Sequence, residues 1–221
     1  AQHLKCLGFD GKVLVKENET LLPLQAHASM GGTSDRTELL YVGRISPKKQ
    51  VELLIEGLLA TRGNFALHVV GGSTDPDYER LLREKAAPLG TRVVWHGPAD
   101  RNAIFEHFDR CDMTCLPTAG ENFGHVVAES LSRSCPVMIM DVTPWTYRIR
   151  AGGGVIVPEA TVEAWRDELQ GLISATQGRT ARRQGAAHAY KSWRRSVDPS
   201  SFLDYMLDGR FDELDTFGNA Q

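Results

Sequence analysis

Apolar and polar positions alternate in blocks along most of this chain. Glu38-Leu39-Leu40-Tyr41-Val42 is a short apolar run closed by Gly43, and Val51, Leu54, Ile55, Leu58 and Leu59 then recur at helical spacing. Phe65–Val70 predicts a second strand ended by Gly71-Gly72. A charged stretch from Tyr78 to Ala87 predicts a helix stopped by Pro88. Val93-Val94-Trp95 is the third strand, with Trp95 expected in the core, and Ile104 to Phe108 a helix. Met113–Leu116 is the fourth strand, Phe123 to Ser132 a helix, Pro136–Met140 the fifth strand and Val155-Ile156-Val157 a sixth. Val162–Ser174 and Thr180–Trp193 extend the helical pattern, and Phe202–Leu214 adds a last short helix.

Continuous apolar strands separated by helices mean an α/β fold with a mostly parallel sheet covered on both faces. Right-handed crossovers make it doubly wound and Rossmann-like, with its ligand crevice at the carboxyl ends of the strands. The organisation expected is an N-terminal extension over 1–37, a Rossmann-like α/β domain over 38–175 and a C-terminal helical extension over 176–221. In the extension, Asp10-Gly11 sits between Leu4–Phe9 and Lys12–Lys16 as a hairpin turn, and Ala28 to Asp35 reads as a linker.

Composition changes this picture little. The 221 residues are 42% hydrophobic and 24% charged, enough for one substantial core, and the formal net charge of −3 gives no reason to expect nucleic acid. The cysteines Cys6, Cys111, Cys115 and Cys135 form no C-x-x-C pair, and the last three lie in or beside apolar runs, as reduced core thiols do. With no apolar run approaching the ~18 residues of a membrane span, the expected location is cytoplasmic. The basic positions Arg179, Arg182, Arg183, Lys191, Arg194 and Arg195 read as a solvated helix face, with peripheral contact to an anionic membrane as the alternative.

Three strand-end loops carry more polar chemistry than a turn requires. In Gly43-Arg44-Ile45-Ser46-Pro47-Lys48-Lys49, a glycine ends the strand and cations precede a helix, a combination suited to a diphosphate. In Thr118-Ala119-Gly120-Glu121-Asn122-Phe123-Gly124-His125, a carboxylate stands at the expected helix start, and Glu129 follows eight residues on. On one helix the two would be offset by roughly 80°, able to hold two ends of an elongated ligand. The third loop, Trp95-His96-Gly97-Pro98, offers backbone groups and a ring to a base. Each of these residues, taken singly, has an ordinary structural explanation. His68, His107 and His188 have no evident constellation around them.

The segments LLYVGRISPKKQVELLIEGL and PTAGENFGHVVAESLSRSCPVMIMDVTPW resemble the signature regions of retaining GT-B glycosyltransferases, the family with two glutamates separated by seven residues. Asn-Phe-Gly, Cys-Pro-Val and Thr-Pro-Trp resemble its lipopolysaccharide and polysaccharide branch. The resemblance covers residues 39 to 175, the C-terminal donor-binding domain of such enzymes. It implies that Arg44 and Lys49 neutralise the diphosphate of a UDP- or GDP-sugar and that Glu121 contacts the transferred sugar. Backbone donors of Asn122, Phe123 and Gly124 would meet sugar or phosphate, Glu129 the ribose diol, and Gly43 and Gly71 would be structural or approach positions; His96 and Gly97 of the third loop are expected to contact the donor nucleotide. No metal and no cofactor besides the donor are expected.

The family's acceptor domain has no counterpart in the 37 residues before the first strand, nor does its proline-asparagine-glycine segment. Turnover is therefore expected to need a further domain or a partner subunit. A non-catalytic sugar-nucleotide-binding module and one half of a sugar-nucleotide epimerase remain as alternatives.

Overall fold

The computed structural model describes Gly8, residues 20–29, 31, 35–175 and 177–197, and Leu207. The expected hairpin around Asp10-Gly11 and the helix over Phe202–Leu214 fall outside the described residues, Gly8 and Leu207 apart. Leu22–Arg194 forms one compact unit, and Ala1–Leu21 with Arg195–Gln221 a second. Among the described residues, every strand belongs to the first.

Its elements alternate. The strands are β1 (Thr37–Val42), β2 (Phe65–Val70), β3 (Val93–Gly97), β4 (Met113–Leu116), β5 (Val137–Met140) and β6 (Gly154–Val157). The helices between and after them are α1 (Val51–Leu59), α2 (Pro76–Ala86), α3 (Arg101–Arg110), α4 (His125–Ser132), α5 (Thr146–Arg150), α6 (Val162–Ser174) and α7 (Arg179–Ser196). All neighbouring strands pair parallel, in the order β3-β2-β1-β4-β5-β6. The order reverses between β1 and β4, which opens a crevice there between the loops that leave the two strands.

Strand parity sorts side chains onto two faces. Leu40, Val42 and Val70 meet Phe108 of α3, with Cys111 and Cys135, and Val126 of α4 packs onto the same cluster. On the other face α1 lies against α6. Gly57 lets them close: a Cβ there would stand 3.1 Å from that of Trp165 and 3.3 Å from the backbone nitrogen of Arg166. Cys111, Cys115 and Cys135 are buried and unpaired, as their apolar surroundings predict, while Cys6 lies outside the described residues.

Capping sets helix starts that periodicity alone misplaces. Asp75 accepts from the Tyr78 N–H at 3.0 Å and Pro76 opens the helix, so α2 begins before Tyr78. Asp100 accepts from the Ala103 N–H at 2.9 Å, extending α3 well beyond Ile104–Phe108. In the opposite sense, α4 starts at His125 and not at Phe123, because Gly124 at its N-cap takes φ +80°. Trp95 is half-buried rather than core: β3 is an edge strand, and the Arg83 guanidinium covers the ring at 4.5 Å.

The basic stretch of α7 is not a uniformly solvated face. Arg183 is 3% exposed, and its guanidinium donates to the carbonyls of Phe108 (3.1 Å), Asp109 (3.2 Å) and Ser134 (3.5 Å), and to that of Cys111. Arg179 pairs with Asp112 at 3.3 Å and donates to the Arg36 carbonyl. Loop carbonyls left at strand and helix ends need donors, and α7 supplies them. Ser29, at the head of the stretch read as a linker, donates to the Asp109 carbonyl at 2.9 Å.

Candidate functional site

The crevice is built from the loops after β1 and β4. Gly43 N–H donates to Val70 O at 3.0 Å and Ile45 N–H to Gly72 O at 2.9 Å, so the first loop runs alongside the chain leaving β2. Gly71, at φ +147°, has no room for a side chain: a Cβ would fall 1.9 Å from the Gly43 carbonyl oxygen. The buried Tyr41 hydroxyl donates to Arg44 O at 2.7 Å, fixing the backbone from which the exposed Arg44 side chain extends. Burial, together with neighbouring Tyr78 and Glu121, raises the Tyr41 phenol far above its ordinary range, so it stays a neutral donor. Pro47–Lys49 is a single 3-10 turn, and Gln50 at φ +48° hands the chain on to α1.

The two loops touch. Ala119 N–H donates to Lys48 O at 3.0 Å, and the Lys49 ammonium forms an ion pair with the Glu121 carboxylate. Both side chains are under one-fifth exposed, so water screens this pair less than a surface bridge. Glu121 stands in the loop, four residues before the first residue of α4. The expected 80° offset from Glu129 on a common helix therefore does not apply, because Gly124 stops the helix short of Glu121.

Glu129 is half-buried on α4. Burial pushes its carboxyl above the ordinary range, and the Arg101 guanidinium and His125 offset this only in part. Arg101 opens α3, and nothing in its sequence surroundings beyond a place after the third strand-end loop marks it. Asn122 is exposed. The Phe123 ring packs against Trp145 at 5.7 Å and Trp193 at 6.1 Å, and its carbonyl accepts the Trp145 indole N–H. The ring is thus held by packing, and the backbone of Asn122-Phe123-Gly124 is fixed at the amino end of α4, where the first N–H groups of a helix lack internal partners. A Cβ on Gly124 would meet the Trp145 ring at 3.2 Å.

Gly97 keeps a structural part, its carbonyl accepting from Gly71 N–H at 2.8 Å. The His96 side chain goes elsewhere. Its Nε2 lies 2.9 Å from His68 Nδ1, and its ring stands 4.5 Å from that of His107. His68 and His107, expected to have no constellation, therefore share one with His96. The sequence hides it because residues on β2, β3 and α3 come together only when the sheet pairs. Burial, then the proximity of His96 and His68, lowers the His107 imidazole to about 4; burial and His68 likewise lower His96.

Residues 26–189 match the family model for glycosyl transferases group 1. The chain belongs to that family. Among curated relatives, D-inositol 3-phosphate glycosyltransferase of Geodermatophilus obscurus is 29% identical over 185 residues, covering 78% of this chain and 41% of the relative. The enzyme of the same description from Xylanimonas cellulosilytica is 30% identical over 164 residues, covering 72% and 39%. The chain thus spans about two-fifths of the length of these group 1 relatives.

Solved structures agree on the fold. Anabaena Alr3699/HepE, in complex with UDP and glucose, superposes with a TM-score of 0.65 at 19% identity, over 81% of this chain and 49% of that one. The C-terminal domain of the group 1 protein LpcC from Francisella tularensis gives 0.64 at 23% identity, over 73% of this chain and 86% of that one. The six-stranded parallel Rossmann-like sheet is therefore the fold this chain shares with these structures, and it corresponds to the C-terminal domain of the LpcC protein. Among the described residues no helix is long and apolar enough to cross a membrane.

Proposed function

We propose that this chain is the donor half of a retaining glycosyltransferase and binds a nucleoside diphosphate sugar in the crevice between the β1 and β4 loops. The observation that carries the reading is the Lys49–Glu121 pair, which joins a cation suited to phosphate and a carboxylate suited to sugar hydroxyls across the point where the strand order reverses. An ammonium has three donors, so Lys49 can hold Glu121 and still reach a diphosphate oxygen. Arg44, exposed on an anchored backbone, supplies the second cation and a fork that fits phosphate.

In this reading the Glu121 carboxylate accepts from hydroxyls of the transferred sugar and Glu129 from the ribose diol. The backbone donors at Asn122, Phe123 and Gly124 meet sugar or phosphate. As the glycosidic bond to the diphosphate breaks, charge builds on the bridging oxygen, and Arg44 and Lys49 stabilise it without reorganising. Losing one such preorganised group typically costs ~3 kcal/mol of barrier. The acceptor hydroxyl would attack from the leaving-group face, giving retention, and no metal is required for charge neutralisation. The acceptor, a glycan or a lipid-linked species, would be held by a further domain or a partner subunit.

Thermal stabilisation by UDP-, GDP-, ADP- and CMP-sugars tests this directly, since a ligand that binds the folded state raises Tm by mass action. The expected result is a concentration-dependent shift with a UDP- or GDP-sugar that Arg44→Ala or Glu129→Ala removes. Equal shifts in the wild type and both variants would overturn the site assignment.

A further inference from the structure

We propose that His68, His96 and His107 bind one divalent late-transition-metal ion, zinc being the reference case, on the sheet face covered by α3. The three imidazoles come from β2, β3 and α3, and one ring nitrogen from each lies within 4.8 Å of the others. His68 Nδ1 and His96 Nε2 are already 2.9 Å apart, and the His68 ring stands 5.2 Å from that of His96 and 5.9 Å from that of His107. In a tetrahedral site with metal–nitrogen bonds of about 2.0–2.1 Å, ligand nitrogens sit about 3.3 Å apart. From separations within 4.8 Å, rotation of the three rings is the movement that would bring the nitrogens to that spacing.

Outer contacts prepare the donors. Glu38 Oε2 accepts from His68 Nε2 at 3.0 Å, which fixes that tautomer and leaves the Nδ1 lone pair facing the other two rings. Glu38 is itself held by the Arg36 guanidinium at 2.9 Å. Neutral imidazoles are the form a metal takes, and an all-nitrogen set selects zinc, nickel or copper over magnesium or calcium. His96 is exposed, giving an ion a route in. Three protein ligands leave the fourth position to water, and the bound ion would tie the edge strand β3 to β2 and α3.

The test uses the 221-residue chain without a tag, stripped with EDTA and titrated with zinc chloride by calorimetry, with metal content measured after gel filtration. The expected result is one zinc per chain, a Tm rise that EDTA reverses, and no comparable effect of magnesium or calcium. Cobalt(II) should give the intense visible bands of a four-coordinate site. His96→Gln, at an exposed position that does not threaten folding, and His107→Gln should each weaken zinc at least as much as the 10–100-fold typical for loss of an outer-shell partner. Glu38→Gln should fall within about that 10–100-fold range. Substoichiometric zinc in the wild type, or an affinity unchanged in both histidine variants, would overturn the proposal. The readout is metal uptake, so it stands or falls apart from donor binding.

Discussion

Gly71 lies directly beneath the carbonyl of Gly43, where the chains leaving β1 and β2 run so close that a methyl group on Gly71 would sit 1.9 Å from that oxygen. A backbone atom cannot swing aside as a flexible side chain does. Replacing Gly71 by alanine should cost about 2–4 kcal/mol, from overpacking and an unfavourable φ together. Because the displaced segment carries Arg44, donor-induced stabilisation should fall as well. Urea denaturation of Gly71→Ala beside Gly90→Ala, where a methyl group meets open space, separates crowding from the cost of positive φ.

Lys49 and Glu121 should not contribute independently to donor affinity. Lys49→Ala should weaken a nucleoside diphosphate sugar by about 1.5–3 kcal/mol, the range for a hydrogen bond to a charged group. Glu121→Gln should weaken the sugar while leaving the free nucleoside diphosphate nearly unaffected. Calorimetry with both ligands, extended to the double variant, reads their coupling. Additive losses within ~0.5 kcal/mol would mean that the ion pair has no part in binding.

Glu129 costs stability where it stands, and the proposed donor site gives that cost a use. Its carboxyl is raised by burial, so between the unfolded and folded values the native chain holds the proton more tightly than the unfolded one. Its contribution to stability thus falls as pH rises through that window and stays unfavourable above it. Glu129→Gln, without ligand, should melt higher than the wild type at pH 7, with the gap closing as pH drops below the window. Donor affinity should show the reverse, declining in the wild type as acidification protonates the group flanked by Arg101 and His125.

Arg183 should be among the most costly positions on α7. Arg183→Met removes the donor from several loop carbonyls at once, and leaving buried polar groups unpaired costs about 1–3 kcal/mol each. A loss of at least ~3 kcal/mol, or roughly 6–12 °C in Tm for a chain of this size, is expected. Lys191→Ala, at an exposed position of the same helix, should change stability by no more than ~0.5 kcal/mol. Differential scanning calorimetry of the two variants compares them directly.

The sheet was legible because its central strands are buried on both faces, so runs such as Leu39–Val42 and Phe65–Val70 stand out against any neighbouring turn. The placement of Arg44, Lys49 and Glu121 on strand-end loops was legible for a related reason: each loop follows directly on an apolar run that the pattern marks as a strand. Helix ends were less so, since Asp75, Asp100 and Gly124 set them through single hydrogen bonds or one dihedral angle. The five-residue α5 carries too short a pattern to announce itself. The histidine cluster and the burial of Arg183 were hidden for a deeper reason. Both depend on which side chains face each other across elements tens of residues apart, and no local periodicity encodes that.

Lys49 and Glu121 are 72 positions apart along the chain, on opposite sides of the point where the strand order reverses. If the crevice binds a donor as proposed, neither half of the sheet recognises it alone, and a nascent chain released before β4 would expose the cation without its carboxylate. Occupancy of the crevice therefore reports that both halves have docked, and a bound nucleotide should slow amide exchange at the β1–β4 seam more than at either outer strand.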